Sequence, residues 1–127
     1  VDLAKKAQEV GVIKGIIFHQ GENNSGDQSW PSKVNTYVTS LRKDLILDPA
    51  EVPFISGELP YTGCCASHNS LVRKIPDSVD NGHWVSAGPM DDGTVLGDRG
   101  DSLHWSTFSV IEMGKRYAAK MLEVGNY

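Results

Sequence analysis

Val12-Ile13-Lys14-Gly15-Ile16-Ile17-Phe18-His19-Gln20-Gly21-Glu22-Asn23-Asn24 joins an apolar, β-branched run to a dense cluster of hydrogen-bonding side chains, and this junction decides the fold class. Val12 to Phe18 reads as a buried strand, whose end would hold the groups after it rigidly. Before it, Leu3, Ala4, Ala7 and Val10 recur at helical spacing, which predicts a helix to about Val10 with Gly11 as its stop. After it, His19 to Pro31 is a polar, glycine-containing loop. Ser32 then reads as the N-cap of a helix that turns Val34, Tyr37, Val38, Leu41 and Leu45 inward, and Pro49 closes that unit. Val52 to Ser56 is a second short strand, Ser67 to Ile75 a weakly marked helix and His83 to Ala87 a third strand. Gly88 to Gly100 is a loop rich in Gly and Asp, and Ser106 to Val124 an amphipathic helix. Strands alternating with helices predict an α/β fold with a parallel sheet, in which sites form beyond the carboxyl ends of the strands. Three strands are few for such a sheet, so further strands flanking Val12 to Phe18 are expected from outside these residues.

The 127 residues suffice for one domain, with roughly two-thirds of the unfolded chain's surface buried. Composition, at 39% apolar and 22% charged, is that of a globular domain and excludes disordered or fibrous classes. A net charge of −4 with both signs interspersed offers no basic stripe for nucleic acid and no polybasic membrane patch. The run Gly15 to Phe18 is far short of the roughly 20 apolar residues that span a bilayer. Neither nucleic acid nor membrane is expected as a partner. The cysteines are neighbours, Cys64-Cys65, and the peptide between such a pair must distort to let them bond; free thiols are expected, with a bridge to a segment outside this chain as the alternative. His19, His68 and His83 form no ligand spacing with each other or with the cysteines, so a zinc site is not expected, and no motif calls for a cofactor. The chain begins at Val1 inside what reads as a helix, which suggests processing or excision from something longer.

Two constellations carry chemistry. In the first, Gln20 can donate amide hydrogens to a developing oxyanion, and Glu22 can orient a histidine or bind a sugar hydroxyl; a plain polar turn is the bland alternative. In the second, Asp101-Ser102-Leu103-His104-Trp105 precedes the last helix, and an acid three residues before a histidine can hold one ring nitrogen while the other points outward. A surface Asp–His pair is the alternative there. Arg99-Gly100-Asp101 is discounted as a chance match, and the sequon Asn23-Asn24-Ser25 because a glycan there would obstruct the candidate site. Trp30, Trp84 and Trp105 are either core aromatics or platforms for sugar rings, and Trp105, beside His104, is the best candidate for substrate contact.

From about Gly15 to Ala119 these motifs, in order, resemble the SGNH hydrolases. The strand leading into His19-Gln20-Gly21-Glu22-Asn23-Asn24 is similar to that superfamily's third conserved block, and Asp101-Ser102-Leu103-His104-Trp105-Ser106 to its fifth. More narrowly they resemble the acetylxylan-esterase type of carbohydrate esterase family 6 and its sialate O-acetylesterase-like relatives, as does Phe54-Ile55-Ser56-Gly57-Glu58-Leu59-Pro60. The resemblance implies a flavodoxin-like, three-layer αβα domain that removes O-acetyl groups from carbohydrate, acetylated xylan for example, through an acyl-enzyme. It implies His104 as base and then acid, Asp101 as the orienting acid with Glu22 as a rival, and Gln20 with backbone donors such as Gly21 around the oxyanion. Asn23 and Trp105 would contact substrate. The superfamily's nucleophilic serine and second block lie upstream of the third, and neither is found here. Residues 1–127 therefore read as the C-terminal part of one domain, the serine coming from a missing N-terminal part, a second chain or a swapped copy. Gly100-Asp101-Ser102-Leu103 imitates a nucleophile signature, but it follows a Gly- and Asp-rich loop and stands too close to His104, so Ser102 is not expected to attack. A non-catalytic carbohydrate-binding or interaction module derived from the fold is the alternative function; Gln20, Glu22, Asp101 and His104 occurring together favours the esterase. Secretion or a periplasmic location is implied by the resemblance alone.

Overall fold

Every residue from Val52 to Pro60 is buried in the computed structural model, which describes residues 1–126. Within that stretch lies β2 (Phe54–Gly57), the middle strand of a three-stranded parallel sheet. On one side it pairs with β1 (Ile16–Phe18), Ile16 opposite Phe54, and on the other with β3 (Gly82–Val85), Phe54 opposite Gly82. A strand covered on both faces has no solvent side, which is why its sequence is apolar without alternation. Phe54 points into one core and Ile55 into the other, as the two-residue period of a strand requires.

The first core packs Phe54 against Trp30, Val34 and Val38 of α2 (Trp30–Leu45) and against Leu71, Val72 and Ile75 from α3 (Asn69–Val72) and α4 (Ile75–Ser78). The second packs Ile55, Val85, Ala87 and Leu96 against Met113 and Tyr117 of α5 (Thr107–Val124). Helices thus cover both faces of the sheet, the expected α/β layering. No described helix is long and apolar enough to cross a membrane.

Several expected boundaries move. The opening helix, α1 (Asp2–Gln8), ends two residues earlier than expected and buries no residue; Leu3 within it and Val10 beyond it are exposed. The first strand starts at Ile16, where pairing with β2 begins, and Val12 stays 81% exposed. Helix α2 begins at Trp30 rather than after Ser32, with Pro31 in the first turn, where the missing N–H costs nothing. On it Tyr37 faces water and Leu41 is only half-buried. Arg42 is buried instead, its guanidinium donating to the carbonyls of Asp80 and Val52, each at 2.7 Å. The single helix expected over Ser67 to Ile75 is a 3-10 turn at Ala66–His68 followed by α3 and α4, a break that places Pro76 in the first turn of α4. Helix α5 starts as expected, Ser106 capping it by accepting the Ser109 amide.

Candidate functional site

The loops after β1 and β2 meet the segment that enters α5 at the carboxyl end of the sheet. Ahead of α5 the chain doubles back: Asp98 bridges Trp105 in antiparallel fashion, Arg99 N–H donates to the His104 carbonyl at 2.8 Å, and Ser106 N–H to the Gly97 carbonyl at 3.1 Å. Two aspartates shape the turn between. Asp98 Oδ1 accepts from the amides of Gly100 (2.6 Å) and Ser102 (3.0 Å); Asp101 Oδ1 accepts from those of Leu103 (3.1 Å) and His104 (2.8 Å). Short acidic side chains suit this because they reach amides just ahead of them. Gly100 (φ 100) and Ser102 (φ 60) supply the left-handed conformations of the reversal.

Asp101 Oδ2 receives His104 Nδ1 and Arg99 Nε, each at 2.8 Å. The His104 amide first, then Arg99 and the His104 ring, hold the Asp101 carboxyl well below the usual carboxylate range. An ionised carboxylate only accepts, so the ring hydrogen sits on Nδ1 and Nε2 is the basic nitrogen. Arg99 Nη2, 3.4 Å from Nδ1, cannot donate there at the same time. Nε2 of His104 has no hydrogen-bond partner among the described residues.

Gln20, Glu22 and Asn23 line a cleft of about 320 Å³ together with Leu103, His104 and Trp105. Gln20 is held at both ends of its amide: the buried Trp30 indole donates to Oε1 (2.9 Å), and Nε2 donates to Asn24 Oδ1 (2.8 Å). Its second amide hydrogen has no partner among the described residues. Glu22 turns back to accept the Gly21 amide at 3.1 Å and makes no hydrogen bond with His104. Of the two candidate acids, Asp101 touches the histidine and Glu22 does not. The Gly21 amide, expected as an oxyanion donor, is thereby taken by Glu22. What Gly21 provides is space, since a Cβ there would stand 2.5 Å from His68 Cδ2.

Ser102 is tied through its backbone to Asp98 and to the Cys64 amide, which donates to the Ser102 carbonyl at 2.9 Å. Its hydroxyl makes no hydrogen bond with His104. Cys64 and Cys65 are bonded to each other, where free thiols were expected. Neighbouring side chains diverge in a strand, but here the pair lies in the turn that follows Pro60, where they converge. Among the described residues, no group of three or more His, Cys, Asp or Glu is placed to hold a metal ion.

The sequence profile of the family described as SASA, carbohydrate esterase, sialic acid-specific acetylesterase, matches residues 1–123. The chain belongs to this carbohydrate-esterase family. No solved structure matches it. That family is one of carbohydrate esterases, and the match spans both the Gln20–Asn23 loop and the Asp101–His104 turn.

Two residues that hold the loops around this cleft were given no such supporting role from the sequence. Trp30, read as core or sugar platform, is 1% exposed and orients Gln20. Glu58, fully buried, accepts Arg73 Nε at 2.6 Å through one oxygen and Tyr61 (2.8 Å), Ser86 (3.1 Å) and the Ala87 amide (2.9 Å) through the other. It fixes the loop on which Thr62 meets Asp98 at 3.1 Å. A lone acid in the apolar run Val52 to Pro60 was the available signal.

Proposed function

We propose that this chain supplies the acid-base half of a serine acetylesterase acting on O-acetylated carbohydrate, acetylated xylan being the model substrate. The observation behind it is the Asp101–His104 contact of 2.8 Å at the wall of a cleft that Gln20, Glu22, Asn23 and Trp105 share. A serine hydroxyl attacks the acetyl carbonyl while His104 Nε2 takes its proton, and Asp101 steadies the imidazolium. The tetrahedral oxyanion meets the unpartnered amide hydrogen of Gln20. His104 then returns the proton to the departing sugar oxygen, leaving an acetyl-serine. Water, deprotonated by His104, releases acetate and restores the serine. Trp105 offers its face to a sugar ring. The serine belongs to a segment outside residues 1–127, from the same polypeptide, a second chain or a swapped copy, seated on the open side of β1. Residues 1–127 are then part of one domain.

The test is hydrolysis of p-nitrophenyl acetate and acetylated xylan by the native material, with a serine-reactive phosphonate and the His104→Ala variant. The expected result is phosphonate on a serine outside residues 1–127 and a fall of about 10²–10⁴-fold in His104→Ala. Label on Ser102 would overturn the assignment of the nucleophile. No label and no turnover would make the chain a carbohydrate-binding module.

A further inference from the structure

His19 follows β1 directly and is not among the residues that line the cleft. Its ring nonetheless makes two hydrogen bonds. Trp105 Nε1 donates to Nε2 at 2.9 Å, and Nδ1 lies 3.0 Å from the Tyr117 hydroxyl. That hydroxyl donates its own hydrogen to the Phe18 carbonyl at 3.1 Å. An indole nitrogen can only donate, and a phenol has one hydrogen to give. His19 is therefore neutral, with its hydrogen on Nδ1 and its lone pair on Nε2. Three hydrogen bonds run one way, from Trp105 through His19 and Tyr117 to the backbone of β1. Packing supports the same arrangement, the ring standing edge-on to Trp105 (centroids 5.8 Å apart) and to Tyr117 (6.2 Å).

We propose that His19 is a positioning residue: by accepting the indole hydrogen at Nε2 it holds Trp105, and with it the Asp98–Trp105 bridge that frames the Asp101–His104 turn, against the cleft. This rests on the esterase reading in so far as Trp105 there serves substrate. A second proton on His19 would set an imidazolium N–H against the indole N–H and cancel the bond. Of the groups around the ring, Glu22 carries a negative charge that favours protonation. Tyr117 from α5, Trp105 from the turn and Gly57 from β2 bring no charge. The partial removal of the ring from water outweighs Glu22 and holds His19 below the usual histidine range, so the bond persists at neutral pH and is lost in acid.

The experiment follows the Trp105 indole N–H by NMR in the ¹⁵N-labelled chain, the resonance being assigned by its loss in Trp105→Phe. In the native chain it moves as pH falls below neutrality. In His19→Gln, whose side-chain oxygen can accept but does not titrate, the resonance remains and its pH dependence disappears. In His19→Phe, which fills the space without accepting, the indole hydrogen exchanges with water about fivefold faster, the equivalent of one hydrogen bond of about 1 kcal/mol. In the native material, which carries the serine, KM for acetylated xylan rises with His19→Phe and recovers with His19→Gln. A resonance indifferent to pH and unchanged in both variants overturns the proposal. Because the spectrum needs no turnover, the expected spectrum without activity would remove the esterase reading alone.

Discussion

At the scale of single residues, the site turns on which carboxylate His104 leans on. Asp101 touches it at 2.8 Å, whereas Glu22 is occupied by the Gly21 amide. Asp101→Asn would keep the turn's amide contacts but present an NH₂ to the ring, favouring the tautomer with its hydrogen on Nε2 and so masking the base. A loss of about 10⁴-fold in kcat is expected, and a much smaller one for Glu22→Gln, both read from p-nitrophenyl acetate hydrolysis. Equal losses in the two variants would return Glu22 to the role of acid. The pairing of Asp101 with His104 was legible in the sequence because three residues of spacing limit where the two side chains can go. The choice between the acids was not, because Glu22 is settled by a contact within its own loop. Spacing was equally silent on Trp30, since an aromatic that fills a core and also offers its N–H to Gln20 looks like any other core aromatic.

At the scale of elements, β2 shows how closely strand and site are coupled. Ile55 and Gly57 both face α5, and at Gly57 a Cβ would stand 2.7 Å from Tyr117 Cζ and 2.8 Å from His19 Nδ1. Gly57→Ala should therefore cost about 1–3 kcal/mol through overpacking, seen as a lower urea midpoint. An unchanged midpoint would mean that α5 can draw away from the sheet without penalty. The alternation of strand and helix was readable because strands buried on both faces have unmistakable composition. The strand ends were not, because pairing rather than propensity sets them: Val12 and Ile13 are as β-prone as the strand that follows, yet only Ile16–Phe18 pair with β2. The helix expected over Ser67 to Ile75 failed for a comparable reason, since the 3-10 turn before α3 and Pro76 at the start of α4 cut it into pieces. The cysteine pair was misread because distortion of the peptide between the two was taken to forbid a bond, whereas they lie in a turn and are bonded.

At the scale of the whole molecule, acid should loosen the fold before the aspartates are touched. Burial holds His19, His68 and His83 below the ordinary value of 6.5, so each binds its proton less readily folded than unfolded. As pH drops below 6.5 the unfolded chain takes up protons that the folded chain refuses. Stability then falls by at most about 1.4 kcal/mol per pH unit for each histidine, and by less for those that keep contact with water. Asp27, Asp92, Asp98 and Asp101 lie below their ordinary 3.8, and what they contribute is retained until pH falls toward that value. Urea midpoints should thus decline from pH 7.5 to 4.5, and a flat profile would show the three histidines equally solvated in both states. The accessible surface, 7219 Å², exceeds the roughly 6,600 Å² of a compact monomer of this mass, in keeping with Ile17 lying 56% exposed on the open strand β1. That open strand also has a heading. It runs from the Pro53 carbonyl, where Ile16 is anchored at 2.9 Å, toward His19 and Gln20. On the proposed reading, a newcomer travelling the same way would finish at the end of the sheet where Gln20 and His104 share a cleft. One travelling the opposite way leaves its tail at the far end of the sheet. The open border accepts either direction, but only one of them would bring a following residue to the cleft.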